Sequence, residues 1–133
     1  MKKLLLFLML FISTTAFSQV YTYRTTAYAY QQVNSYDGKW MEWSDWQDSD
    51  MSVVINFNTD VVTIYSPTKQ IYKITEFIRN YTDSSGGKQV EFAFIDQDGD
   101  KGHMRLRIEK NGNSQIYIDF NNVRWCYNVR RTN

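Results

Sequence analysis

The chain has 133 residues, 43% of them hydrophobic and 17% aromatic, with 15 Lys and Arg against 14 Asp and Glu for a formal net charge of +1. That length has room for one domain, and the near-neutral balance excludes the basic character that nucleic acid or an anionic membrane surface requires of a partner. The single cysteine, Cys126, excludes an internal disulfide, so a packed core has to hold the fold.

The first stretch, "MKKLLLFLMLFISTTAFSQV", has two lysines, an apolar run from Leu4 to Ile12, and small residues at Ala16 and Ser18. It reads as a secretory signal peptide over residues 1–18, cut near Ser18–Gln19, with a single domain over 19–133. The apolar run is shorter than the roughly 20 residues a helix needs to cross a bilayer, and no other segment is a candidate, so no transmembrane segment is predicted. No cysteine stands at the cut to carry a lipid. The expected destination is a periplasm or the outside of the cell. Cleavage would remove Lys2 and Lys3 and leave acids in slight excess.

From Gln19 onward the sequence alternates apolar and polar residues in short runs broken by Gly, Asn, Asp and Ser, the signature of half-buried strands. The first run, Gln19 to Val33, is rich in Tyr and Thr. Its inward parity shifts between Tyr21/Tyr23 and Tyr28/Tyr30, which predicts a bulge. Met51, Val53, Ile55 and Phe57 then share one face, followed by "VVTIY" from Val61, a proline turn at "SPTK", and a run in which Tyr72 and Ile74 alternate with Ile71, Lys73 and Thr75. The remaining strands are cleaner. Val90, Phe92 and Phe94 precede "DQDGDKG"; Met104, Leu106 and Ile108 follow it, then Ile116, Ile118 and Phe120, and last Val123, Trp125, Tyr127 and Val129. These four form a meander of hairpins. No helical stripe and no repeat is present. The pattern predicts an all-β domain of about eight strands, an antiparallel up-and-down barrel, with a two-sheet sandwich as the alternative.

The tripeptide "GKW" at Gly38 to Trp40 is similar to the G-x-W of lipocalins. More broadly, "KWMEWSDW", "VVINF", "IYSPTKQIYKI", "FIDQDGDKGHMRLRIEKNGNSQIYIDF" and "WCYNV", in that order, resemble a family of small exported proteins from gut bacteria and their phages. That family has no assigned activity. The resemblance implies a recurring exported β module and provides no catalytic residue.

The segment "DQDGDKG" places Asp96, Asp98 and Asp100 within five residues. A helix-flanked calcium loop needs glycine at its sixth position and glutamate at its twelfth, and neither the register from Asp96 nor that from Asp98 provides both. A hairpin turn is the first reading, with a non-standard calcium site at the three aspartates as the alternative. Trp40, Trp43 and Trp46 form the second constellation, because exposed indoles make stacking platforms for flat ligands. On a regular strand Trp40 and Trp46 would share one face while Trp43 pointed away, placing at least one of the three in the core. His103, the only histidine, stands on the polar side of its strand beside the turn, where it reads as a solvated residue. Arg105, Arg107 and Arg124 are placed to form a basic outer patch around Tyr117, or to pair with Glu109 and Asp119 on neighbouring strands. Glu42, Glu91 and Asp119 are the acids within predicted strands. No catalytic residue, resident metal or cofactor is assigned. The sequence predicts a non-catalytic exported binding or interaction module whose partner is a protein, an envelope component or a small ligand. A sugar-binding or apolar-ligand-binding barrel using its aromatics is the alternative, and a small hydrolase the remaining one.

Overall fold

A computed structural model describes residues 19–111 and 113–133; the predicted signal segment, residues 1–18, lies outside them. The strands are β1 (Val20–Gln32), β2 (Gln47–Asp48), β3 (Ser52–Asn56), β4 (Val61–Ile64), β5 (Gln70–Thr82), β6 (Lys88–Asp96), β7 (Lys101–Ile108), β8 (Asn113–Asp119) and β9 (Val123–Arg131). From β3 onward each strand pairs antiparallel with the next, and β3 pairs with β1. The last strand returns to the first, from Tyr23 opposite Arg131 to Gln32 opposite Val123. That pairing closes an eight-stranded barrel and rules out two separate sheets. The ninth strand, β2, is a two-residue addition on β1: Ala27 has Asp48 on one side and Asn128 on the other. Among the described residues no helix is long and apolar enough to cross a membrane.

Side chains of strand neighbours in register share a face, so the strand pairing sorts them into inner and outer rows. One inner row runs Tyr28, Tyr127, Ile116, Leu106, Val90. The adjacent outer row runs Ala29, Cys126, Tyr117, Arg105, Glu91, Arg79. All eight barrel strands contribute to one buried cluster, from Tyr23 through Val53, Val62, Tyr72, Phe92, Met104 and Ile116 to Tyr127. Eight strands enclose a space that side chains just fill, and aromatic pairs such as Tyr72–Phe94 and Phe94–Phe120, with ring centroids 4.9 and 5.4 Å apart, pack it. Each fully buried Ile or Phe contributes about 1.5–3 kcal/mol by leaving water.

The parity shift in the first strand is a bulge. The β1–β9 register slips between Thr25 and Ala27, which lets Tyr23 and Thr25 face inward before it and Tyr28 after it. Two further slips, between Ile74 and Glu76 and between Phe77 and Arg79, bend β5 where it runs on past β4.

Candidate functional site

Between β1 and β3 the chain makes its longest excursion. It turns at Asn34 to Lys39, where Gly38 has a φ of +72° and its N–H donates to the Asn34 carbonyl at 2.9 Å. It then comes back along the edge of β1 that faces away from β9. Met41 N–H donates to Gln32 O, and Ser44 N–H to Tyr30 O, both at 2.8 Å. The Ser44 hydroxyl accepts the Tyr30 N–H at 2.9 Å. Ser44 therefore satisfies both backbone groups of Tyr30, one through its own backbone and one through its side chain. That lets the returning segment stay attached without strand alternation.

The irregular path overturns the strand-based expectation for the tryptophans. Trp43 and Trp46 project to the same side and, with Ala29, Ser44, Tyr117 and Cys126, line a concavity of about 360 Å³ on the outside of the barrel wall. They are 42% and 52% exposed. None of Trp40, Trp43 and Trp46 joins the core cluster; the tryptophan packed against it is Trp125. Trp40 lies in the neighbouring hollow with His103, Asp119 and Arg124, where the Arg124 guanidinium sits 3.9 Å from the indole centroid. The two hollows adjoin, because Tyr117 and Asp119 are successive outward residues of β8, and Cys126 and Arg124 of β9.

Electrostatics along this wall are uneven. Arg105 stacks on Tyr117 with its guanidinium carbon 4.2 Å from the ring centroid. Arg105 and Arg124 each approach Asp119 to 3.9 Å, too far for a hydrogen bond. Asp119 Oδ1 is buried and has no hydrogen-bond partner among the described residues. Burial raises the Asp119 pKa from its ordinary value, and Arg105, Arg124 and His103 oppose that. Arg107 is different: it meets Glu109 at 2.6 Å and Asp83 at 3.4 Å. Arg105 and Arg124 thus lie near Tyr117 and share Asp119 across the strands, whereas Arg107 pairs with Glu109 two residues on and with Asp83. Burial pushes the Cys126 thiol up to about 11, with the Tyr117 hydroxyl and Arg105 pulling the other way.

The remaining candidates fall elsewhere. His103 is exposed on the outer wall between Ala93 and Asp119. Glu91 accepts both Arg79 Nε, at 3.1 Å, and a terminal guanidinium nitrogen, at 3.3 Å. Glu42 is exposed outside any strand. The segment Asp96 to Gly102 is the β6–β7 hairpin connection: Asp96 Oδ1 accepts the N–H groups of Asp98 and Asp100 at 2.9 and 2.8 Å, and Gly99 has a φ of +86°. Among the described residues no group of three or more His, Cys, Asp and Glu is arranged to hold a metal ion.

The outer wall was partly visible in the sequence. Ala29 and Cys126 are small residues at outward positions of otherwise polar or aromatic strands, and that is the signal that something covers them. Comparison with protein-family models, with curated proteins and with solved structures finds no match.

Proposed function

We propose that this chain is an exported, non-catalytic binding module whose site is the outer-wall concavity under Trp43 and Trp46. One observation carries the reading: two indoles, each about half exposed, are held over the barrel wall by the Ser44–Tyr30 hydrogen bonds, while the barrel's interior is occupied by its own side chains. Exposed Trp faces bind the C–H side of sugar rings and other flat ligands, and a hollow of about 360 Å³ accommodates one or two such rings. A non-catalytic role is favoured because His103 stands in solvent, the Cys126 thiol is held protonated at neutral pH, and Glu91 is engaged by Arg79. Export rests on the sequence of residues 1–18.

Tryptophan fluorescence against a glycan and lipid panel tests the reading. A saturable shift that is lost in Trp43→Ala and Trp46→Ala supports it; no response across the panel counts against it.

A second reading has its own observation. Among the described residues β4 pairs with β5 only as far as Lys73, and no other described strand pairs with that edge along the far half of β5, which carries the exposed Phe77 and Ile78. An extended segment of a partner protein could add a strand there. Photo-crosslinking from position 78 to an envelope fraction, competed by unlabelled protein, would favour it.

A further inference from the structure

We propose that the ligand of the outer-wall site is a saccharide whose ring carries a carboxylate, an inference that rests on the outer-wall reading above and specifies its chemistry.

Several guanidiniums are already engaged. Arg107 and Arg79 are closed by carboxylates at 2.6 and 3.1 Å, and Arg24 is hydrogen-bonded to Asp50. Arg105 and Arg124 are not closed in this way. They share one carboxylate, Asp119, at 3.9 Å each, and are 37% and 39% exposed. Among the described residues the hydrogen bond of Arg124 is a long one, to Gln31 at 3.4 Å. Two cations facing one anion leave a positive surplus and N–H donors directed at no close acceptor. A carboxylate is the group whose geometry a guanidinium fork fits.

Position adds the second half. Each of these arginines stacks on an aromatic ring, Arg105 on Tyr117 and Arg124 on Trp40, and Tyr117 itself lines the hollow with Trp43 and Trp46. The hollow under Trp43 and Trp46 is therefore flanked at Tyr117 by one guanidinium, and the neighbouring hollow holds a second on the Trp40 indole. A pyranose lying on the indoles would present a ring carboxylate sideways, toward Arg105 in the row of Tyr117 and Arg124 in the row beside it. A neutral sugar would leave those donors to water. A nucleic acid strand also stacks on indoles, but it needs a run of cations, and this wall interposes Asp119 and Glu91.

The test uses the mature protein and paired probes: trigalacturonate with its methyl-esterified form, a glucuronate trisaccharide with its neutral glucose counterpart, and sialyllactose with lactose. Calorimetry and tryptophan emission are read together. At least one acidic probe should bind about tenfold or more tighter than its neutral counterpart, with an advantage that shrinks as NaCl rises and is lost in Arg124→Gln or Arg105→Gln. Equal binding of acidic and neutral members overturns the carboxylate inference and leaves the aromatic site standing. Silence from every probe overturns this inference, and the aromatic reading falls too if the glycan and lipid panel is also silent. Tighter binding of single-stranded oligothymidylate than of any acidic sugar also overturns it. Because the acidic-versus-neutral comparison needs only the unmodified chain, a variant that fails to fold does not decide the outcome.

Discussion

Ala29 and Cys126 face each other across β1 and β9 on the outer side of the barrel, yet they are only 2% and 3% exposed. An outward-facing pair is buried so completely only when another segment lies over it, here the one that carries Trp43, Ser44 and Trp46. Enlarging Ala29 should lift that cover without touching the core. Ala29→Leu is expected to cost about 1–3 kcal/mol by overpacking, to red-shift tryptophan emission as the indoles move into water, and to weaken ligand binding. A leucine accommodated with unchanged emission would show that the segment is not seated on the wall as described.

Cys126 reports on the same cover from below. Its thiol titrates near 11, so at pH 8 a disulfide reagent should modify the native chain far more slowly than the unfolded one, and Trp46→Ala should speed the reaction. The pH dependence has a definite sign. A thiol whose folded pKa lies above its unfolded value of about 8.5 contributes stability that is intact below that value and is lost as pH rises through the folded pKa. Cys126→Ser should therefore flatten the alkaline limb of the stability curve between about pH 8.5 and 11. Rapid labelling of the native protein at neutral pH would refute the assignment.

Two buried hydroxyls on β1 should respond in opposite ways. Thr25 accepts the Met51 N–H at 2.8 Å and bonds the Ser49 hydroxyl at 2.8 Å, which fixes the entry into β3 beside the bulge. Thr25→Val keeps the shape and strands the half-buried Met51 donor, so it should destabilise by about 1 kcal/mol. Tyr23 is 2% exposed and its hydroxyl has no partner among the described residues. Tyr23→Phe removes an unsatisfied group and should leave the denaturation midpoint unchanged or raise it. A matched loss in both variants would mean that Tyr23 has an acceptor after all.

The interior was legible in the sequence because a period of two needs no knowledge of neighbours. Val53/Ile55, Phe92/Phe94 and Ile116/Ile118 face inward as their alternation requires, and the tyrosine parity shift located the β1 bulge. What was not legible depended on partners distant in sequence. Barrel closure rests on the pairing of Tyr23 with Arg131, which no local pattern encodes. Ser44 replaces a backbone acceptor with its hydroxyl, so the segment from Trp40 to Trp46 departs from strand geometry, and a strand rule applied to it sends Trp43 to the wrong side. The β5 bulges were hidden because each adds one residue that no neighbouring alternation marks.

Two aspartates should titrate in opposite directions. Side-chain hydrogen bonds from Ser85 and Gln89, with backbone N–H groups of Gly87 and Ser85, hold Asp83 down at about 2. Asp119 is raised, chiefly by burial. In a carboxyl NMR titration from pH 7 downward, Asp119 should protonate early and Asp83 among the last. For stability the signs are opposite. The Asp83 contribution is present above the unfolded aspartate pKa of about 3.9 and is lost as pH falls through its folded value, whereas ionised Asp119 is tolerated less well as pH rises. Asp83→Asn should therefore flatten the acid limb between about pH 4 and 2. Coincident titration of the two groups would contradict the geometry of both sites.

The hairpin at Asp96 to Gly102 contains two glycines for different reasons, and substitution separates them. Gly99 has a φ of +86° with open space around its missing side chain, so alanine there meets only backbone strain, about 1–2 kcal/mol. Gly102 has no such φ. A Cβ on it would lie 2.6 Å from the Phe94 ring and 2.5 Å from the Asp119 carbonyl, because the ring packs flush against the bare backbone of its cross-strand partner. Gly102→Ala must displace a core ring or the neighbouring strand, and should cost more than Gly99→Ala and disturb the Phe94–Phe120 packing. Asp96→Ala should also destabilise, since the N–H groups of Asp98 and Asp100 lose their shared acceptor. Millimolar calcium should leave the midpoint of the unmodified protein in place, because Asp96 Oδ1 is already committed to those two donors. A calcium-dependent rise that disappears in Asp98→Asn would instead make the turn a cation site.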